Sequence, residues 1–271
     1  MIELIVLGLL QGLAEWLPIS SKSQVMLAAI GFLGMDPSKA LSLSLFLHIG
    51  TLLAAIIYFR KELADMLKLL PALPKNLNNK KNSTLVFLIV STIATGVMGV
   101  PLYLLFRKSF AQSSGEAAIA VIGLGLIVTG ILFVYSGKKA GLRKEGEMNY
   151  RDAGLAGIAQ ALSVLPGVSR SGITTAALLF SGFSQETAIK LSFMMSIPAV
   201  IGAEIGFTLL EGLPAITIEQ AVVLTLSSFV FGLVSMDLLV RLARTINFGL
   251  FCIVLGIISL IPWIAIFFHL V

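Results

Sequence analysis

Gln11-Gly-Leu-Ala-Glu15-Trp-Leu-Pro18-Ile-Ser20-Ser21-Lys22-Ser23 in the first half of the chain has a partner in the second half, Gln160-Ala-Leu-Ser-Val-Leu-Pro166-Gly-Val-Ser169-Arg170-Ser171-Gly172. Each copy interrupts apolar helical sequence with proline and a run of hydroxyl side chains. Proline removes a backbone donor and ends or kinks a helix. Helices broken at membrane depth turn their half-ends toward an ion or an anionic group. The pair therefore predicts a duplicated architecture with its functional site where the two seams meet.

The surrounding composition fixes the solvent. Of 271 residues 57% are hydrophobic and 12% charged, and the mean hydropathy is +1.00, far from the balance of a water-soluble domain. Charged residues form islands between apolar stretches of about 20 residues, each long enough to cross the hydrocarbon core as a helix. The fold class is an all-α polytopic integral membrane protein, a single membrane domain over 1–271. Met1-Ile-Glu-Leu-Ile-Val-Leu-Gly-Leu-Leu has neither a basic start nor a small-residue cleavage site, so no removed signal peptide is expected. Cys252, the one cysteine, reads as a small buried hydrophobe.

Full spans are expected at about 40–59, 84–106, 117–136, 186–210, 217–240 and 246–268. Stretches 2–32 and 152–182 are broken at Leu17-Pro18 and at Leu165-Pro166-Gly167, so each half is too short to span and each stretch reads as a re-entrant helix pair. The net charge of +5 does not point to nucleic acid, because 11 of the 19 basic residues lie in 60–81 and 138–151. These are the cytoplasmic loops of the positive-inside bias, with Arg241 and Arg244 marking a third inner loop. Counting crossings from them, the first re-entrant pair dips from the outer face and the second from the inner. The result is an inverted-topology repeat, each half a re-entrant pair plus three spans, with copies at about 1–136 and 152–268. Ser44-Leu-Phe-Leu-His48-Ile-Gly50 against Ser192-Phe-Met-Met-Ser196-Ile-Pro198 extends the repeat past the seams. The Asn- and Lys-rich stretch from Asn76 to Ser83 is expected to be a solvated loop.

Charge at membrane depth costs about 2.5–3.5 kcal/mol per group on insertion scales, so Glu15, Lys22 and Arg170 are the candidate functional groups. If the tips meet, Ser20, Ser21, Ser23, Ser169, Ser171 and Thr174 converge with Arg170 and Lys22. Arg pairs bidentately with phosphate oxygens, and hydroxyls and helix N-terminal amides add donors, so the pocket suits phosphate. A carboxylate there serves as a base, holds a divalent cation, or pairs with Arg170 or Lys22 to join the halves.

At these two segments the chain resembles the undecaprenyl-diphosphate phosphatases of the bacitracin-resistance type, whose signatures are (E/Q)GLTEFLP(I/V)SS(T/S)GH and PG(F/V)SRSG(A/S)T. Here they read Gln11-Gly-Leu-Ala-Glu15-Trp-Leu-Pro18-Ile-Ser-Ser21-Lys22-Ser23-Gln24 and Pro166-Gly-Val-Ser169-Arg170-Ser171-Gly-Ile-Thr174. The resemblance implies removal of the terminal phosphate from a C55 polyprenyl diphosphate, on the outer side of the cell membrane, to regenerate the lipid carrier of envelope glycan synthesis. It further implies Ser21 as nucleophile, Arg170 as clamp, and Glu15 as acid/base or ligand of Mg²⁺ or Ca²⁺. Gln11, Ser20, Lys22, Ser23, Gln24, Ser169, Ser171 and Thr174 would contact the phosphate.

The chain departs from the signature where Ser23-Gln24 replaces Gly-His and Lys22 replaces a small hydroxyl residue. Glutamine cannot exchange a proton, so Glu15 or a metal-bound water, Lys22, or His48 would have to stand in for the histidine. His48 otherwise reads as a buried polar residue, and His269 as interfacial. Glu204 and Asp237 either face the cavity or pair with Lys190 or Arg241. Trp16 reads as packing and Trp263 as an interfacial anchor. A Ser-His-Asp triad and a Cys/His metal site are unsupported. The competing readings are a polyprenyl-phosphate transporter using the same clamp and an ion-coupled carrier for an unrelated anion. Gly123, Gly125 and Gly130 either mediate a homodimer or pack within one chain.

Overall fold

In the computed structural model, residues 1–71, 82–212, 214–242 and 248–267 are described, and in them the breaks fall where proline and hydroxyls predict. α1 (Ile2–Ala14) and α2 (Ser21–Gly31) flank the first seam; α8 (Tyr150–Ala161) and α9 (Arg170–Phe180) flank the second. Between the pairs lie α3 (Pro37–Phe46), α4 (His48–Tyr58), α5 (Arg60–Leu69), α6 (Ser83–Ala111) and α7 (Gly115–Gly137). After them come α10 (Gln185–Glu211), α11 (Ile218–Leu242) and α12 (Phe248–Phe267). The described residues hold no strand, only an isolated bridge between Arg143 and Phe183.

Among the described residues, five helical stretches are long and apolar enough to cross a membrane, including Pro37–Tyr58, in which α3 and α4 are separated at Leu47. The chain is a multi-pass membrane protein. The sixth expected span, 246–268, corresponds to α12, which runs for 20 residues. On α11, Val222, Leu226, Val230 and Val234 recur every fourth residue, all at least half exposed. Such a stripe is one helix face turned to lipid.

Two expectations about loops change. Part of the expected loop 60–81 is α5, an amphipathic surface helix with no buried residue. The stretch 76–83 lies outside the described residues except for Asn82 and Ser83, and Asn82 is buried ahead of α6 rather than solvated. The loop 138–151 is pinned by Arg143. Its Nη2 donates to Asp152 Oδ2 at 2.6 Å, Nη1 donates to Ser181 O at 2.6 Å, and the guanidinium lies over the Phe183 ring. The hydrogen bond to Asp152 raises the Arg143 pKa above its usual value.

Packing exchanges partners between the halves. α1 lies along α11 and α8 along α6; α4 also packs on α11 and α10 on α6; α7 lies along α12. Glycine permits the closest approaches. A Cβ on Gly123 would meet the Gly256 carbonyl at 2.7 Å, and one on Gly125 would meet the Pro166 carbonyl at 2.5 Å. Of the small residues weighed as a dimer face, Gly123 and Gly125 are thus spent inside the chain, holding α12 and the second seam against α7.

Candidate active site

The two seams face each other because their helices start the same way. Ser20 is the N-cap of α2 and Ser169 the N-cap of α9, so the first helical positions are Ser21 and Arg170. Hydrogen bonds stitch the seams together: Lys22 Nζ donates to Ser163 O and Val164 O, both at 2.9 Å. Gly167 N donates to Ser23 Oγ at 2.9 Å, and Ser171 Oγ donates to Leu17 O at 2.7 Å. Cys252 Sγ reaches the Pro18 carbonyl, so the cysteine read as a plain hydrophobe also holds the first tip.

Glu15, the C-cap of α1, sits at the centre of the joined seams, 5% exposed. Its Oε1 accepts from Arg170 Nη2 at 2.6 Å. Its Oε2 accepts from Ser21 Oγ at 2.5 Å and from Gln11 Nε2 at 2.8 Å, and faces His48 Nε2 at 3.4 Å. The carboxylate therefore bridges nucleophile candidate and imidazole, whereas in a Ser-His-Asp arrangement the imidazole stands between the other two. Arg170 Nη1 is buried with no hydrogen-bond partner, a donor left over at a site built from donors. A buried unpaired donor costs about 1–3 kcal/mol, which an incoming acceptor such as a phosphate oxygen would recover.

A cavity of about 320 Å³ opens from this cluster and runs between α6 and α10. Glu15, Ser20, Ser21, Lys22, Ser169, Arg170, Ser171 and His48 line it. The remaining expected phosphate contacts do not. Gln11 turns to Glu15 and Thr51, and Ser23 is fully buried between Ser20 Oγ and Gly167 N. Gln24 Nε2 donates to Ile19 O, closing its own turn. Thr174 Oγ1 donates to Arg170 O and accepts from Ser192 Oγ at 2.6 Å. Of these four, Ser23 is consumed by the contact between seams, while Gln11, Gln24 and Thr174 are taken up by partners within their own half. The structure adds Gln160, whose Nε2 donates to Thr95 Oγ1 and whose buried Oε1 is unpartnered beside the cavity. Its place opposite Gln11 in the repeated segments was the available signal.

Glu204 lines the cavity, and Lys190 pairs with Glu145 at 2.8 Å instead of with Glu204. Trp16 packs as expected, its ring 5.2 Å from Phe193 and its Nε1 donating to Gly232 O. The side chains of Asp237, Arg241, Arg244 and Trp263, and His269 altogether, lie outside the described residues.

To Mg²⁺ or Ca²⁺, Glu15 offers a single carboxylate, so the other ligands of such a cation would come from substrate phosphate and water. These cations take several oxygen ligands, whereas both Glu15 oxygens already face donors and no group of three His, Cys, Asp or Glu side chains gathers among the described residues.

The chain is similar to known proteins over nearly its whole length. Residues 4–258 match the family described as bacitracin resistance protein BacA. A protein of Methanococcoides burtonii named undecaprenyl-diphosphatase is 44% identical over 96% of this chain and 97% of its own length. Proteins of the same name from Methanothrix thermoacetophila (43% identical, 96% of this chain and 95% of the relative) and Haloarcula marismortui (38%, 93% of each) are also similar. With one family spanning both seams and every helix between them, the chain belongs to the bacitracin resistance protein BacA family.

Proposed function

We propose that this protein is a polyprenyl-diphosphate phosphatase that releases inorganic phosphate from undecaprenyl diphosphate or a closely related lipid and leaves the monophosphate carrier. The observation that carries the reading is Ser21 at the start of α2. Its hydroxyl is hydrogen-bonded to Glu15, and Glu15 is held by Arg170 from the opposite seam.

The chemistry follows from those atoms. Arg170 Nη1 and the N-terminal amides of α2, which carries no side-chain cap, are donors for the oxygens of the terminal phosphoryl group. Ser21 Oγ attacks phosphorus and its proton passes to Glu15 Oε2; the Oγ–P bond forms as the bridging P–O bond breaks and its electron pair leaves with polyprenyl phosphate. Water then cleaves the phosphoserine, and Glu15 returns the proton to Ser21. The apolar walls from α6 and α10, including Gly99, Val100 and Ala199, accept the first isoprene units. A divalent cation would arrive on the diphosphate oxygens, since the donor set around Glu15 does not supply its shell.

The exchange of partners between halves supports an inverted repeat over 1–136 and 152–268 in one membrane domain. The clustering of basic residues in 60–81 and 138–151 supports an active site opening to the outer face of the cell membrane. The test is phosphate release from undecaprenyl diphosphate by the detergent-purified full chain beside Ser21→Ala. Turnover that disappears with the hydroxyl upholds the phosphatase. Lipid binding without release in the wild type would instead favour a carrier that retains the clamp for translocation.

A further inference from the structure

The mechanism above leaves unassigned the group that protonates the leaving oxygen and activates the water, and Gln24, where the resembling signature has histidine, is turned to the Ile19 carbonyl. We infer that His48, delivered by α4 from outside the seams, is that group: a catalytic acid/base acting through Nε2. The inference rests on the phosphatase reading.

The tautomer carries the argument. His48 Nδ1 lies 2.7 Å from Ser44 O and 3.3 Å from Leu45 O. A carbonyl oxygen only accepts, so Nδ1 holds its hydrogen in either charge state, and Nε2 is the nitrogen free to gain or lose a proton. His48 lines the cavity, and its Nε2 faces Glu15 Oε2 at 3.4 Å, on the same oxygen that takes the Ser21 proton. Nδ1 is anchored on backbone carbonyls, whereas Nε2 meets Glu15 at 3.4 Å, longer than a tight hydrogen bond, at the cavity where the reaction takes place. The break at Leu47 makes His48 the first residue of α4, with the Ser44 carbonyl one turn back as its anchor.

The steps balance around these two side chains. As Ser21 attacks, Nε2–H gives its proton to the oxygen leaving as polyprenyl phosphate. In the second step Nε2 takes a proton from water; the water oxygen bonds to phosphorus, the P–Oγ bond breaks, and Glu15 restores the proton to Oγ. Glu15 ends ionised and His48 ends protonated, as both began.

Phosphate release by the full-length protein in detergent tests this, with His48→Gln as the variant and melting temperature as the check on folding. General acid–base catalysis is worth about 10²–10⁴-fold, so kcat falls by about 100-fold or more while KM stays within about threefold. The decline of wild-type kcat on the alkaline side, as the imidazolium loses its proton, is absent in the variant. The other charged groups sharing the cavity are Glu15, Arg170, Lys22, Arg107 and Glu204; an alkaline decline that persists in His48→Gln belongs to one of them and overturns the inference. So does kcat within about threefold of wild type.

Should His48→Gln fail to fold, a second measurement decides. The chain has two histidines, so in a His269→Gln background diethylpyrocarbonate reports on His48 alone. Loss of activity in step with one modified imidazole, slowed by methylenediphosphonate, supports the role, and full modification with activity retained overturns it. A wild type that releases no phosphate fails the phosphatase reading itself, a result distinct from an active enzyme indifferent to His48.

Discussion

In the first seam the N-cap Ser20 sits at φ 58°, the only non-glycine residue with positive φ among those described, and its hydroxyl turns to Ser23 instead of capping α2. In the second seam the N-cap Ser169 is extended and its hydroxyl accepts from Gly172 N in an ordinary cap. One tip is strained and leaves its helix amides uncapped; its counterpart is satisfied and further fixed by Ser169 N donating to Thr129 Oγ1. The reactive groups divide the same way. Glu15 corresponds to Val164 and His48 to Ser196, whose hydroxyl folds back on Phe193 O. Each seam ends in a helix N-terminus; in the proposed mechanism the first half carries the proton-transfer groups Glu15, Ser21 and His48, and the second seam is a rigid platform for the Arg170 guanidinium. Strain held by surrounding structure is a mark of functional sites.

Hydroxyl deletions in the two seams give the largest contrast. In the proposed mechanism Ser21→Ala removes the attacking oxygen and should lower kcat by about 10⁴-fold or more, as loss of a covalent nucleophile does elsewhere. Ser169→Ala removes a cap worth about 1 kcal/mol, so the melting temperature drops while kcat stays within about tenfold. Comparable activity losses in the two variants would break the division of labour.

Next in size is Arg170→Ala. It strips Glu15 of its buried partner, and breaking such a pair costs about 3–5 kcal/mol. The expected result is a lower melting temperature together with a raised KM, measured on the same detergent preparation. Arg170→Lys keeps the charge but not the planar fork, so it should regain much of the stability and little of the affinity.

The seams, the long helices and the trio Glu15, Ser21 and Arg170 were legible in sequence, because proline, charge at membrane depth and helix-start hydroxyls each act locally. Which hydroxyls reach the cavity was not. Ser20, Ser21 and Ser23 share one turn and one chemistry, and only the approach of Gly167 decides that Ser23 is consumed between the tips. Gln24 looks like a replacement within the site until its bond to Ile19 O is seen. His48 comes from a neighbouring helix, and its anchoring by Ser44 O was visible only as an i−4 spacing. Helix α5 was hidden in a stretch whose charges read as loop. The glycines of α7 announce close packing without saying against what; the partners are Gly256 and the Pro166-Gly167 tip.

A smaller effect sharpens the role of Lys22, whose ammonium is held by the Ser163 and Val164 carbonyls rather than left free as a base. Lys22→Met keeps the stem and removes the tether. Hydrogen bonds from a charged group contribute about 1.5–3 kcal/mol, so the melting temperature falls by that equivalent. Because these bonds run to backbone carbonyls and not to Glu15, KM should rise less than in Arg170→Ala. A larger rise in KM at unchanged melting temperature would move Lys22 from tether to phosphate contact.

The smallest effect concerns the strained cap. Ser20→Gly removes a hydroxyl that bonds Ser23 at 2.7 Å, a loss of about 1 kcal/mol. It also places at φ 58° the one residue type that enters the left-handed region without steric cost, where strain on other residues costs about 1–3 kcal/mol. The terms oppose each other and nearly cancel, so the melting temperature should move by about 2 °C or less. Ser20→Ala loses the same bond and keeps the strain, so it should melt well below the glycine variant. If glycine and alanine melt together, the left-handed turn stores no strain, and the contrast between the tips reduces to which hydroxyl caps its helix.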